Sequence, residues 1–575
     1  MRGSTKKTAA ALALVAMIAL TTACGNNSNG SDNAGVNSGG KTNQTADKGT
    51  EAQANEDGAL TKYAEPVTLT TAKVLEGDVK FKEGESIDNN VIDKSIESDL
   101  NIKMKYLWTA SNTQELTEKI RLALSANQEL PDMLAISDPL LMSQLVQSGK
   151  YQEVTPIFEK YAENNWKQGY ESHPEVWNGV TFDDKKYALP MFNMVGRGNV
   201  MWIRQDWLDK LNLKAPTNVT ELETVMDAFT TQDPDGNGKP DTFGLSVALK
   251  DNGVNATWLG STDFVFAADG VLPNDNGWVK KDDGTIYQPL LTAAAKPGLG
   301  KLQEWMKKGY FPKDSGIYDN MKAAELFTSG KAGITFGQYW LSIWPFPDLK
   351  KNVPGAEFKA YPYLAGADGA YKVAQENPTN GVNIMIRSGM EHPEAVVKYM
   401  NWFFKNYLNP DKGSKYEYGL AEGYDWANVE GQPTNDKSKV PNYLDAVRIS
   451  VPKDFTLPDA WTEMLHKFTA GEKPSTPMEV KQYGGEDQSS LDAAKILLDG
   501  LDKGFQVPQV IGVPVTTTMM SKNAMLDKMR KETISKIIYG EASVDAYDKF
   551  LEDYDKAGYG KIMKEVNDWY AKSAK

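Results

Sequence analysis

Ile102-Lys103-Met104-Lys105-Tyr106-Leu107-Trp108 opens on strict alternation of apolar and basic side chains, the period of a half-buried strand. Thr113 to Ser125 then changes period and places Leu116, Ile120, Leu122 and Leu124 on a largely apolar helical face. Behind Pro131, Met133-Leu134-Ala135-Ile136 reads as a short buried strand. Strand, helix and strand in direct succession point to an α/β sheet. Upstream, Val67-Thr68-Leu69-Thr70 supplies another alternating strand. Downstream, a helix is expected from Pro139 to Ser148, and Tyr187 to Pro190 ends an extended piece. The pattern then restarts: Val200 to Ile203 as strand, Gln205 to Leu211 as helix, and Val219 to Phe229 as a helix opened by Thr217-Asn218 ahead of Glu221. No internal repeat is visible, so two α/β lobes fit better than a solenoid.

The 575 residues allow two or three cores, and a formal charge of -14 without any basic block excludes a nucleic-acid-binding surface. The single cysteine, Cys24, follows a basic start (Met1 to Lys7), an apolar run (Thr8 to Leu20) and the small residues Thr21-Thr22-Ala23. That order is a secretory signal, and the apolar run is shorter than a spanning helix. Leu20 to Cys24 resembles the cleavage box of bacterial lipoproteins, with Thr21 where the usual box has Leu. The resemblance implies a signal peptide over residues 1–23 and lipidation of Cys24. Residues 24–60 are polar and Gly-rich, and read as a disordered tether.

Asp233-Pro234-Asp235-Gly236-Asn237-Gly238-Lys239-Pro240-Asp241 sets oxygen-bearing side chains at alternate positions, with glycine sixth and acid ninth. A hard cation wants about six to eight oxygens, and this spacing aims Asp233, Asp235, Asn237, the Lys239 carbonyl and Asp241 at one point, as in an EF-hand-type loop for structural Ca2+. Position twelve is Gly244, not the usual bidentate Glu. A plain Asx/Gly turn has similar composition and stays open.

No H-E-x-x-H, G-x-S-x-G or phosphate-cradling loop occurs, and His173, His392 and His466 belong to no zinc or triad signature. No catalytic residues are assigned and the chain is read as a non-enzyme, although paired carboxylates keep a glycoside hydrolase as rival. Of the 14 Trp, Trp202, Trp207, Trp305, Trp402 and Trp569 lie in periodic apolar patterns and are assigned to packing. Trp108 and Asp138 end or follow strands, where α/β ligands sit, and Asn193 and Arg197 follow the extended piece.

The order of Cys24 and tether, Pro131-Asp132-Met133, Lys186-Tyr187-Ala188-Leu189-Pro190, Trp202 to Leu208, Asp233 to Asp241, Leu326 to Trp344 and Tyr418 to Gly423 resembles the extracellular solute-binding proteins of sugar importers. Within them it resembles the large lipoprotein branch that includes oligosaccharide and alginate binders. The resemblance implies a periplasmic-binding-protein-like α/β fold with hinge crossings near Pro190–Asn193, Gly381–Ile384 and Pro508–Pro514. Lobe 1 would hold residues 61–191 and 382–510, and lobe 2 residues 192–381 and 511–575. It implies ligand-stacking aromatic residues at Trp340 and Trp344, and a second cluster at Tyr418, Glu422, Tyr424 and Trp426. It also implies an oligosaccharide ligand, delivery to the transmembrane subunits of an ABC permease, attachment to the outer face of the cell membrane through the lipid, and a monomer. A secreted polysaccharide-active enzyme and a lipoprotein peptide or ligand sensor are the alternatives, since fold alone does not fix function.

Overall fold

Hydrogen bonding along two separate sheets organises the computed structural model, which describes residues 58–77, 79–193, 198–250, 254, 258–272, 277–366 and 369–573. Cys24, the signal segment and Arg197 lie outside these residues. The strands of the two sheets are β1 (Val67–Val74), β2 (Ile102–Ala110), β3 (Met133–Ile136), β4 (Leu189–Phe192), β5 (Asn199–Arg204), β6 (Phe243–Ser246), β7 (Ala332–Gln338), β8 (Phe358–Tyr361) and β9 (Thr379–Ile386).

The first sheet runs β2-β1-β3-β9-β4, with β1, β2 and β3 parallel and β9 antiparallel to both neighbours. Parallel neighbours need crossovers, and the helices Val91–Leu100 and Thr113–Ser125 supply them. Each starts where an asparagine side chain accepts a backbone N–H of the first turn: Asn90 from Asp93 and Asn112 from Glu115, both at 2.9 Å. On Thr113–Ser125 the buried stripe is Leu116, Ile120 and Ala123, steps of four and three. Leu122, expected on the apolar face, is 69% exposed because it falls opposite that stripe.

The second sheet runs β8-β5-β7-β6, with β6 parallel to β7 and β5 antiparallel to β7 and β8. Alternation along β5 sends Met201 and Ile203 to one face and Val200 and Trp202 to the other, and all four are buried. The first face packs on helices Val219–Thr231, Lys296–Lys308 and the long Thr517–Ile538. The second is covered by Trp461 and Leu465 of helix Ala460–Thr469 and by Leu497 and Leu498 of helix Gln488–Asp502.

This last contact corrects the expected division of residues 382–510. Helix Glu394–Phe403 shares the first sheet's core, whereas the segment from Trp461 to Leu501 packs on the second sheet. The Trp461 indole also donates to the Tyr339 hydroxyl at 2.9 Å. The second crossing moves as well. Gly381 to Ile384 lies inside β9, so the chain changes sheets earlier, between Tyr361 and Thr379. The first crossing joins Phe192 to Asn199, and Asn193 N–H donates to the Pro378 carbonyl at 2.8 Å, holding two crossings side by side. Val373-Ala374 pairs with Gln506-Val507 and ties the third to the second. The end of the expected tether is docked, with Leu60 against the first core and the Ala59 carbonyl accepting from Asn401 at 3.0 Å.

Candidate ligand site

The carboxyl end of β4 leads directly into the start of β5, and Asn199 of β5 pairs with Gln338 at the end of β7. The carboxyl rims of the two sheets are therefore joined by the crossing. In open α/β folds that is where ligands bind.

On the second rim, three tryptophans gather beyond β7. Trp340 stacks on Trp258 (6.0 Å between centroids, 26°) and on Trp344 (6.4 Å, 20°), while Trp258 and Trp344 are 5.2 Å apart at 37°. Trp344 is 46% exposed and the other two are half-buried. Near-parallel indoles with open edges and faces form a platform for a flat partner whose C–H bonds meet the electron-rich ring faces. Gln338 N–H holds the Trp258 carbonyl at 3.0 Å, and Leu259 bridges Gly337. A Cβ at position 337 would stand 2.6 Å from that carbonyl, so glycine is what lets Trp258 close on the strand. Trp340 and Trp344 were expected here. Trp258 was not, because no local pattern marks it. Its signal is Gly337, met only in three dimensions.

The Tyr418–Trp426 segment splits. Tyr418, 36% exposed, and the half-buried Trp426 lie 6.3 Å apart at 39°. Glu422 is exposed, its carboxylate accepting from Asn428 N–H at 3.3 Å and its carbonyl from the Lys82 ammonium. Tyr424, expected in the ligand cluster, is a core residue: it is 2% exposed, its hydroxyl donates to Glu85 and accepts from Lys82 N–H (2.9 Å), and Lys82 covers its ring. Burial, then the Glu85 carboxylate, pushes its hydroxyl up to about 12. Beneath it the buried Asp425 accepts from Leu420 and Ala421 N–H, each at 2.9 Å. Burial raises its carboxyl to about 6 against the opposing pull of Lys481. Gly419 adopts φ 151°, and a Cβ there would sit 2.7 Å from the Asp425 carboxylate.

The remaining rim residues are partly committed elsewhere. Asp138 caps helix Pro139–Gln147 through Leu141 N–H (3.0 Å) and pairs with Arg121 at 2.6 Å, which engages both of its carboxylate oxygens. Trp108 is half-buried against the first core, and the Asn193 backbone serves the crossing. Of the tryptophans assigned to packing, Trp202, Trp207, Trp305 and Trp402 are buried and Trp569 is partly so.

In the Asp233–Asp241 loop, positive φ at Asp233, Gly236 and Gly238 curls the chain. Asn237 gathers the side chains. Its N–H donates to Asp233 (3.1 Å) and Asp235 (3.3 Å), and its amide to Asp235 (2.7 Å) and Asp241 (3.0 Å). Lys331 balances Asp241 at 2.7 Å and Asp235 at 3.5 Å, and holds the Asp241 carboxyl below its ordinary value, helped by Asn237. Lys239 N–H donates to Asn237 at 2.8 Å. Among the described residues no three carboxylate, histidine or cysteine side chains form a ready metal cluster. The donor chemistry fits a hard cation, but binding one would require Asn237 to turn its oxygen inward and Lys331 to withdraw.

Residues 81–406, more than half of the chain, match the model of the bacterial extracellular solute-binding proteins. The chain is 28% identical over 331 residues to the polygalacturonan/rhamnogalacturonan-binding protein YtcQ of Bacillus subtilis, covering 57% of this chain and 62% of that one, just under two thirds of its length. It is 26% identical over 494 residues to the fructooligosaccharide ABC transporter substrate-binding protein FusA of Streptococcus pneumoniae, covering 80% and 84%. Among solved structures it superposes on the alginate-binding protein AlgQ2 with a TM-score of 0.61 at 19% identity, over 90% of this chain and 99% of that one. The two-lobe fold is thereby shared.

Proposed function

The chain belongs to the bacterial extracellular solute-binding protein family, and from that premise we propose that it captures an oligosaccharide between its two sheets and delivers it, chemically unchanged, to an ABC permease. The tryptophan platform at the joined rims carries this reading: stacked indoles suit the C–H faces of a pyranose or furanose ring. The printed ligands of YtcQ and FusA, both glycans, support the same class.

Two further points belong to the proposal. Among the described residues no helix is long and apolar enough to cross a membrane, and attachment through a lipidated Cys24 would place the binding lobes outside the cell as a tethered monomer. The Asp233–Asp241 loop would take Ca2+ through Asp233, Asp235, Asn237, the Lys239 carbonyl and Asp241 as a structural ion. Titrating chelator-treated protein with Ca2+ checks the second point: heat and a higher melting temperature are expected, and no heat removes it.

Thermal-shift screening of the folded protein against a panel of oligosaccharides tests the main reading, because a ligand bound only by the native state raises apparent stability. One or more glycans should raise the midpoint, and the ligand recovered afterwards should be intact. A panel without any shift, or cleaved products, defeats it.

A further inference from the structure

The Asp233–Asp241 loop already holds a cation, and that cation belongs to the chain. Three carboxylates, Asp233, Asp235 and Asp241, converge on Asn237, which donates to all of them. In a calcium loop such convergence is neutralised by the metal. Here the Lys331 ammonium does it from outside the loop, 2.7 Å from Asp241 Oδ2 and 3.5 Å from Asp235 Oδ2. The Asp235 oxygen it touches is the same one that accepts the Asn237 amide, so the ammonium reaches toward the point where the candidate ligands meet. A second ammonium is differently placed: Lys210 donates to the backbone carbonyls of Asp233 (3.3 Å) and Pro234 (2.8 Å), not to a carboxylate.

The fold fixes where Lys331 starts and leaves its tip free to move. Its N–H donates to the Leu326 carbonyl at 3.2 Å, in helix Asn320–Thr328, and its carbonyl accepts from Phe243 N–H at 2.8 Å. Phe243 opens β6, the strand into which the loop runs two residues after Asp241, so the loop and the base of Lys331 are tied to one another. The ammonium itself rides on a flexible four-carbon stem and can leave without moving the backbone. A calcium ion bonded to Asp235 Oδ2 at about 2.3–2.6 Å would stand within about 6 Å of Lys331 Nζ if that group kept its place. Like charges so close repel, and both would draw on the same oxygen. Metal binding and the Lys331 contacts therefore oppose each other.

We propose that Lys331 is a resident counter-ion of this loop: it holds the loop folded without metal, it must be displaced before Ca2+ binds, and it thereby sets the calcium affinity. The inference rests on the calcium reading above and deepens it. Lys331 precedes β7 and Trp340 follows it, so the exchange of ammonium for metal takes place at the end of that strand away from the tryptophans.

The experiment is calorimetric titration of the chelator-treated full chain with CaCl2, together with thermal melting in chelator and in saturating CaCl2, on the wild type, Lys331→Met and Lys331→Arg. Lys331→Met should bind Ca2+ tenfold or more tightly than the wild type. It should melt below the wild type in chelator and regain at least the wild-type midpoint in CaCl2, since a ligand taken up only by the folded state stabilises it. Lys331→Arg keeps the charge and should bind Ca2+ within about threefold of the wild type. Equal or weaker binding by Lys331→Met, or binding by Lys331→Arg as tight as that of Lys331→Met, overturns the inference and leaves the calcium reading standing. Heat from Lys331→Met alone sustains the inference and removes calcium from the wild type. No heat from any of the three overturns both.

Discussion

The tryptophan platform and the Tyr418–Trp426 loop are both aromatic-rich, both were expected at the ligand, and they are built on opposite principles. The platform hangs from the end of a strand, and Gly337 gives the space that lets Trp258 join it, so its rings are left half-open. The loop is wound around a buried carboxylate, Asp425, and Gly419 gives the space for that charge, so Tyr424 is drawn into the core. Aromatic content does not separate ligand surface from packing. What the neighbouring glycine makes room for does.

The largest effect that would sharpen this contrast is at Asp425. Asp425→Ala strands two backbone N–H groups and takes from Lys481 one of its two carboxylate partners, leaving Asp445 at 3.5 Å. A loss of about 2–3 kcal/mol in urea denaturation is expected, with affinity changed only through unfolding. A loss below about 1 kcal/mol would break the claim that the loop is organised by its charge. Next, Gly337→Ala forces a Cβ against the Trp258 carbonyl, a backbone atom that cannot swing aside. It should cost about 1–3 kcal/mol and lower glycan affinity at once, because Trp258 is displaced.

Trp340→Ala should reduce oligosaccharide affinity tenfold or more, about 1.4 kcal/mol, with a small change in melting temperature. Unchanged affinity would remove it from the site. The pH response is smaller and has a fixed sign. The folded Asp425 carboxyl is raised to about 6, so its contribution is fully present below its unfolded value and is lost as pH rises from about 4 to about 6. The wild type should lose stability relative to Asp425→Asn across that window, and a relative gain would contradict the burial argument. Smallest of all, Tyr424→Phe should alter glycan affinity less than about twofold while losing about 1 kcal/mol of stability with its hydrogen bond to Glu85.

Local order was legible where local chemistry decides it. Thr113–Ser125 has the expected bounds because Asn112 caps it, and β3 follows Pro131 as its apolar run suggests. Trp340 and Trp344 were placed through family resemblance. Other features depend on distant partners. The amphipathic helices from Ala460 to Asp502 announce an apolar face but not which of two sheets will cover it. Trp258 joins the platform through a contact with Gly337 far along the chain, and Tyr424 leaves the site through Glu85 and Lys82, which no spacing within Tyr418–Trp426 reveals. Asp138 looked free at a strand end, yet its carboxylate is spent on a helix cap and on Arg121.

The most direct test of the account is a crystal structure of the protein grown with the glycan that gives the largest thermal shift. The account places an intact oligosaccharide at the joined rims with a ring lying on Trp340. A glycan seated away from these indoles, or found cleaved, would contradict it.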